Sequence, residues 1–251
     1  MSKIFFQSCK LGLALLLAAV AAPAIAQTYS YATLSGATDS SLEPVAAKAI
    51  FDVSAGSMTV TLVNLQPNIT SVGQDISSLW FTVNNGSSIL SLSGASVMLS
   101  GNLVDIGTNG TVTYPSPLNN VALGTTGTST EHWSAGQGTS QFYFNDLNGG
   151  GQPDQTIIGP PNSNGTYTSG TVNNSIYGNG PHNPFIQNQA TFKIQAAGLL
   201  ATSTVSDVLI GFGTAPGNNL HTVPEPGSLA LLAIGALAFA LRRKSEGRNF
   251  A

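Results

Sequence analysis

Cysteine, arginine and lysine are scarce in this sequence, and their absence excludes several classes of protein. The single cysteine, Cys9, lies near the start, so the chain beyond it has no disulfide, thiolate metal site or cysteine nucleophile. From residue 27 to 222 the only cations are Lys48 and Lys193, and nine acidic residues against two lysines leave a formal charge of −7. Nucleic-acid binding requires a basic surface, so we expect no nucleic-acid partner.

Common catalytic motifs are also missing. The sequence contains no Gly-x-Ser-x-Gly, no phosphate-binding loop and no dinucleotide fingerprint, and no spacing of acids favours a glycosidase pair. His132, His182 and His221 are too far apart in sequence for a zinc motif. Glu131-His132-Trp133 is the most enzyme-like triplet, but on a strand His132 would face away from its neighbours, and Trp133 is expected in the core or as a platform. We predict that the protein is not an enzyme, with a secreted hydrolase as the second alternative.

Alternation of apolar and polar residues is the main pattern between residues 27 and 212. Residues 57–62, for example, place Met58, Val60 and Leu62 on one face of a strand. Turn signals such as Asn84-Asn85-Gly86 separate such runs. The other candidate strands are 29–34, 49–53, 79–83, 89–92, 97–99, 111–114, 141–144, 190–195 and 205–212.

Many short strands with turns between them predict an all-β fold. We expect an antiparallel β-sandwich, possibly of jelly-roll type, over residues 27–212. A right-handed β-helix is the competing architecture, and the lack of a fixed-length repeat counts against it. Gly, Pro and Asn are concentrated between residues 149 and 184, which predicts a long loop on this scaffold.

The sequence around the start of that loop is similar to a calcium loop. Asp146, Asn148 and Asp154 fall at the first, third and ninth places, as in the loops of dockerins and thrombospondin repeats. Gly150 occupies the fifth place and Ile157 the twelfth, where further oxygen ligands are expected. Calcium binding would therefore need a backbone carbonyl, a water or a distant acid. A plain Asn-Gly turn without a cofactor is the other interpretation.

Aromatic residues in the loop region suggest an alternative function. Tyr167 and Tyr177 lie among Gly, Pro and Asn residues and are candidates for stacking on sugar rings, whereas Trp80 is expected in the core. A carbohydrate-binding module at the cell surface, with extracellular polysaccharide as its ligand, is therefore the first alternative.

The first 26 residues have the composition of a secretory signal peptide, which forms a short apolar helix. Lys3 and Lys10 precede the apolar run 11–22. Ala24 and Ala26 then form an Ala-x-Ala site, so a signal peptidase is expected to cut before Gln27. A permanent N-terminal anchor is the alternative.

Residues 223–251 combine three features in a fixed order. A Val-Pro-Glu-Pro motif comes first, an uncharged apolar run over 228–241 follows, and a basic cluster comes last. The run has 14 residues against about 20 for a typical spanning helix, so thinning of the bilayer or snorkelling of the basic side chains is expected. The cations would mark the cytoplasmic side. The alternative is a buried C-terminal helix. The sorting motif consists of Val223, Pro224, Glu225 and Pro226, and the basic cluster that stops the chain in the membrane consists of Arg242, Arg243 and Lys244.

This order of features resembles the PEP-CTERM sorting signal of bacterial surface proteins. The resemblance implies an exosortase-like processing enzyme as partner, a transient anchor in the inner membrane, and a final place at the cell surface or outside the cell. It also implies a structural or adhesive role in the envelope or biofilm matrix. The expected organisation is a signal peptide (1–26), a β-domain (27–212), a linker (213–222) and a sorting signal (223–251).

Overall fold

Extended backbone dominates this protein, as the alternating sequence pattern requires. The computed structural model describes residues 26–124, 133–147, 153–168 and 175–225. Strands make up 51% of it and helix is almost absent, which confirms the all-β prediction. The strands are β1 Gln27–Thr33, β2 Ala47–Ser54, β3 Ser57–Asn64, β4 Ile76–Asn85, β5 Ser88–Ile89, β6 Ser96–Ile106, β7 Val112–Thr113, β8 Leu118–Ala122, β9 Ser134–Gln137, β10 Phe142–Asn145, β11 Ile157–Ile158, β12 Phe185–Gln195, β13 Thr204–Phe212 and β14 Asn219–Pro224.

The strands close into a barrel, which corrects the predicted sandwich. Neighbours run in the order β12, β3, β2, β1, β14, β13 and β4, and all of these pairs are antiparallel. β11 pairs in parallel with β12 and antiparallel with β4, which completes an eight-stranded barrel. A strand of two residues within a Gly- and Pro-rich segment has no alternation to detect, so the sequence did not predict the closure.

Side chains of alternate residues fill the interior. In β2 and β3 every second residue is buried, which is the period expected for strands with one face on a core. Phe144 and Phe192 stack with ring centroids 4.1 Å apart, and Trp133 packs edge-on against Phe192 at 5.2 Å. The Trp133 indole is fully buried and donates to the carbonyl oxygen of Gln155 at 2.8 Å, which confirms its place in the core. Glu131 and His132 lie outside the described residues.

The segment predicted as a linker over 213–222 contributes a strand instead. Residues 219–222 belong to β14, which lies between β1 and β13 in the barrel wall. Every side chain of β14 is exposed or half-buried, so its sequence carries no strong hydrophobic alternation. Pairing of its main chain with two neighbours determines its position.

The predicted terminal helices cannot be compared with the fold. Residues 1–25 and 226–251, which include most of the signal peptide and the whole apolar run, lie outside the described residues. Within the described ranges, no helix has the length and apolar character needed to cross a membrane.

Candidate functional site

The first half of the Val-Pro-Glu-Pro motif is part of the barrel wall. Val223 pairs with Ala32 of β1, and Pro224 pairs with Tyr31. The backbone N–H of Glu225, the residue after β14, donates to the carbonyl oxygen of Ser30 at 2.8 Å. The motif is therefore held in an extended conformation by main-chain contacts, while Pro226 and the basic cluster Arg242, Arg243 and Lys244 lie outside the described residues.

The Glu225 carboxylate is anchored by side chains of β1 and β2. Its Oε2 accepts from the Ser30 hydroxyl at 2.7 Å and lies 2.5 Å from Lys48 Nζ. The hydrogen bond from Lys48 holds the pKa of Glu225 below its usual range. One of the two lysines of the β-domain is thus used to hold the acidic residue of the motif.

A buried polar layer lies at one end of the β4–β10 pair. Asn145 is opposite Ser78, and the N–H of Asp146 donates to the carbonyl oxygen of Ser77 at 2.9 Å, so Asp146 and Ser77 are cross-strand neighbours. Alternation along the chain places Asp75 and Ser77 on the same face as the core residues of β4. The core of this pair therefore ends in two carboxylates and a hydroxyl.

Most oxygens of this layer have no hydrogen-bond donor among the described residues. Asp75 Oδ2 accepts from the Thr156 hydroxyl at 2.9 Å. In contrast, Asp75 Oδ1, Ser77 Oγ and both carboxylate oxygens of Asp146 have no partner within the described ranges. Asp75 and Ser77 are 0% exposed and Asp146 is 1% exposed. Such burial of polar oxygens without partners is unfavourable and requires an explanation.

The pKa values of the acids in this layer are raised by burial and by neighbouring negative charges. Burial raises the pKa of Asp75 well above its usual value, and the bond from Thr156 offsets part of this rise. Burial also raises the pKa of Asp146, and the negative charges of Asp154 and Asp75 raise it further. Neither lysine of the β-domain neutralises these acids, because Lys48 binds Glu225 and Lys193 binds the Asn120 side chain.

The structure brings together part of the predicted calcium loop. Asp146 and Asp154 are close enough to interact electrostatically, whereas Asn148 lies outside the described residues. Asp75 was missed, because an acid before a strand has no sequence signal that relates it to a loop so far along the chain. In the described part of the chain, no group of three or more His, Cys, Asp or Glu residues is arranged to hold a metal.

The prediction that Tyr167 stacks on sugar rings is wrong, whereas the one for Tyr177 stays a prediction. Tyr167 is 1% exposed and its hydroxyl donates to the carbonyl oxygen of Gly159 at 2.7 Å, so it cannot stack on a sugar. Tyr177 is half-buried, and its ring lies directly against Gly110, where a Cβ would overlap it. The predicted loop thus contributes Ile158, Tyr167 and Ile176 to a second buried cluster, which it shares with residues outside the loop such as Val104, Ile106 and Phe185.

Trp80 lies on the outer face of β4 rather than in the core. Its neighbours Leu79 and Phe81 point inward, and Trp80 is half-buried. It pairs across the strands with Tyr143, with ring centroids 4.5 Å apart and an interplanar angle of 37°. The sequence does not reveal this pair, because the apolar neighbours of Trp80 hide which face is buried.

Comparison with known proteins identifies the C-terminal segment. Residues 222–244 match the family model of the PEP-CTERM protein-sorting motif, which confirms the resemblance stated above. No curated protein and no solved structure gives a significant match to the chain. The motif implies processing by an exosortase and export to the cell envelope or surface. The chain therefore carries a PEP-CTERM protein-sorting motif at residues 222–244, and this motif implies an extracellular protein sorted by an exosortase.

Proposed function

We propose that the protein is a structural or adhesive component of the cell envelope or biofilm matrix, without catalytic activity. The observation that supports this most is the continuity of the sorting motif with β14: the match begins at residue 222, inside a strand of the barrel. The β-domain is therefore itself what the exosortase sorts. Its formal charge of −7 over residues 27–222 is suited to a hydrated outer surface rather than to binding anionic lipid.

We infer the anchored state from the apolar run and the basic cluster that follows it. Residues 228–241 insert in the inner membrane, the basic cluster stays on the cytoplasmic side, and the signal peptide is removed before Gln27. Because β14 extends to Pro224, the barrel lies next to the membrane without the expected spacer. An exosortase that binds Glu225 has to compete with Lys48 and Ser30 for its carboxylate.

Truncation after Glu225 tests the anchor. A chain that ends at Glu225 keeps the whole of β14 and loses the apolar run and the basic cluster, so we expect most of it in the medium instead of the envelope fraction. Fractionation with immunoblotting measures the distribution. Mass spectrometry of the released chain also shows whether it begins at Gln27.

The matched control for this truncation lacks only residues 249–251, which lie beyond the family match. We expect it to be distributed like the full chain. Retention of the chain ending at Glu225 in the membrane would contradict the anchor and, with it, the proposed route to the surface.

Binding of extracellular polysaccharide is the second candidate function, and the Trp80–Tyr143 pair favours it. Two half-exposed rings side by side on a rigid sheet form the kind of platform on which sugar rings stack. We expect Trp80→Ala to weaken binding on an array of bacterial glycans by about 10-fold, as for a buried aromatic contact. Tyr114→Ala removes an isolated ring that is 66% exposed and serves as control. Equal binding by both variants would argue against this platform.

A further inference from the structure

We propose that Asp75, Ser77 and Asp146 bind a calcium ion at the end of the β4–β10 pair, with Asp154 adding negative charge beside it. Four oxygens carry the proposal: Asp75 Oδ1, Ser77 Oγ and the two carboxylate oxygens of Asp146. All belong to side chains that are at most 1% exposed. They come from Ser77 of β4, from Asp75, which precedes β4 in extended conformation, and from Asp146, the cross-strand neighbour of Ser77.

Charge neutralisation is the first requirement of this layer. Two ionised carboxylates out of water need a counter-charge, because burial of an unpaired carboxylate is strongly unfavourable. From residue 27 to 222 the only lysines are Lys48 and Lys193, and they bind Glu225 and Asn120 instead. The neutralising charge must therefore come from bound protons or from a cation.

A cation satisfies the layer better than protons do. Protonation of Asp146 would remove its charge, but both of its oxygens are buried and have no hydrogen-bond partner among the described residues. A cation between the two carboxylates instead occupies the lone pairs of all four oxygens at once. The Ser77 hydroxyl indicates a bound ligand independently of the carboxylates. It is fully buried in the same layer as Asp146, and it has no hydrogen-bond partner in the described ranges.

The ligand chemistry selects calcium. The layer presents oxygen atoms only, which suits hard cations and not zinc or copper. Calcium accepts irregular sets of carboxylate, hydroxyl and carbonyl oxygens, whereas magnesium requires near-octahedral geometry. Extracellular calcium modules work at Kd values of about 10⁻⁴ to 10⁻³ M, which suits an exported protein.

The proposal also resolves the gap in the sequence pattern. The loop that starts at Asp146 has glycine and isoleucine at two places where calcium loops supply oxygen. Asp75, immediately before β4, is the distant acid that such a loop would need, and its charge acts on Asp146. The Thr156 hydroxyl, which donates to Asp75 Oδ2, leaves Oδ1 directed elsewhere.

Thermal unfolding with and without calcium tests the site. The full chain is purified in the presence of EGTA and then given CaCl₂ or MgCl₂, with tryptophan fluorescence as probe and equilibrium dialysis against ⁴⁵Ca²⁺ as direct assay. We expect one calcium per chain and a rise in Tm of about 5 to 10 °C at a free concentration about 100 times Kd. Magnesium at the same concentration is expected to give less than half of that rise.

Variants locate the ion. Asp146→Asn keeps the shape of the side chain and removes its charge, so we expect at least a 10-fold loss of calcium affinity. Asp52→Asn makes the same change at an exposed position of β2 and is expected to bind like the unmodified chain. If Asp146→Asn does not fold, Ser77→Ala replaces it, with an expected loss of about 3-fold.

Three results would overturn the proposal. The first is the absence of ⁴⁵Ca²⁺ binding by the unmodified chain at 1 mM, roughly the upper end of extracellular affinities. The second is an unchanged calcium response in Asp146→Asn. The third is a magnesium response as large as that to calcium. A chain that binds no calcium but is stabilised by Asp146→Asn in EGTA would show that protons neutralise the layer instead.

Discussion

A chain that ends at Asn218 is expected not to fold, whereas a chain that ends at Glu225 is expected to fold fully. The two chains differ only in residues 219–225, which include all of β14. This strand lies between two others, with Thr222, Val223 and Pro224 paired to β1 and Asn219, Leu220 and His221 paired to β13. Its removal opens the barrel and leaves two unpaired strand edges.

The size of this effect follows from the number of main-chain groups involved. Each backbone hydrogen bond contributes about 0.5–1.5 kcal/mol, and leaving a buried partner unsatisfied costs about 1–3 kcal/mol. Two ladders of such bonds amount to a large part of the 5–15 kcal/mol that a domain has in total. Deletion of β14 should therefore remove most or all of the stability.

Circular dichroism and limited proteolysis of the two truncated chains measure this directly. We expect a cooperative thermal transition for the chain ending at Glu225, and rapid digestion without a transition for the chain ending at Asn218. A cooperative transition of similar Tm in both chains would show that β14 is dispensable, and that the predicted linker is the better description of residues 213–222.

Phe192→Ala is expected to be the most destabilising of the single substitutions that we propose. The ring of Phe192 is fully buried, stacks on Phe144 at 4.1 Å and contacts the edge of Trp133 at 5.2 Å. Truncation leaves a cavity between two aromatic rings, for which we expect a cost of about 3–5 kcal/mol in free energy of unfolding. This corresponds to a fall in Tm of about 10 °C for a domain of this size.

Urea unfolding followed by tryptophan fluorescence measures this loss. Lys193→Ala is the matched control, because Lys193 is the next residue of β12 and its exposed side chain bonds Asn120 on the outer surface. We expect it to change the free energy of unfolding by less than about 1 kcal/mol. Similar losses in the two variants would mean that the Phe144–Phe192–Trp133 cluster does not determine the stability of the core.

Some strands could be predicted closely because their signals are local. Residues 57–62 alternate without interruption, and β3 covers Ser57–Asn64 with every second side chain buried. The predictions at 205–212 and 190–195 also coincide with β13 and the second half of β12. In β3 and the second half of β12 one face is apolar and the other polar, which is the information that periodicity carries, whereas β13 was found from its apolar content.

The candidate site could be predicted only in part. Asp146 and Asp154 were selected from the spacing of a loop, and they do interact in the structure. Asp75 has no such signal. Glycine and proline around Tyr167 predict an exposed loop residue, but they do not show that the loop packs on the barrel, where Tyr167 is buried. The apolar neighbours of Trp80 predict a core position for it, because an apolar run does not show which of its side chains point outward.

The sequence by itself determined the features that depend on short stretches: the all-β class, the strands with regular alternation, and the sorting motif at residues 222–244. Only the tertiary structure decided that Ile157 and Ile158 close a barrel, that β14 holds Glu225 beside Lys48, and that Asp75 meets Asp146. The physical reason is that these three features arise from pairing between segments far apart in the chain. Such pairing depends on backbone hydrogen bonds and packing, which local residue patterns do not encode.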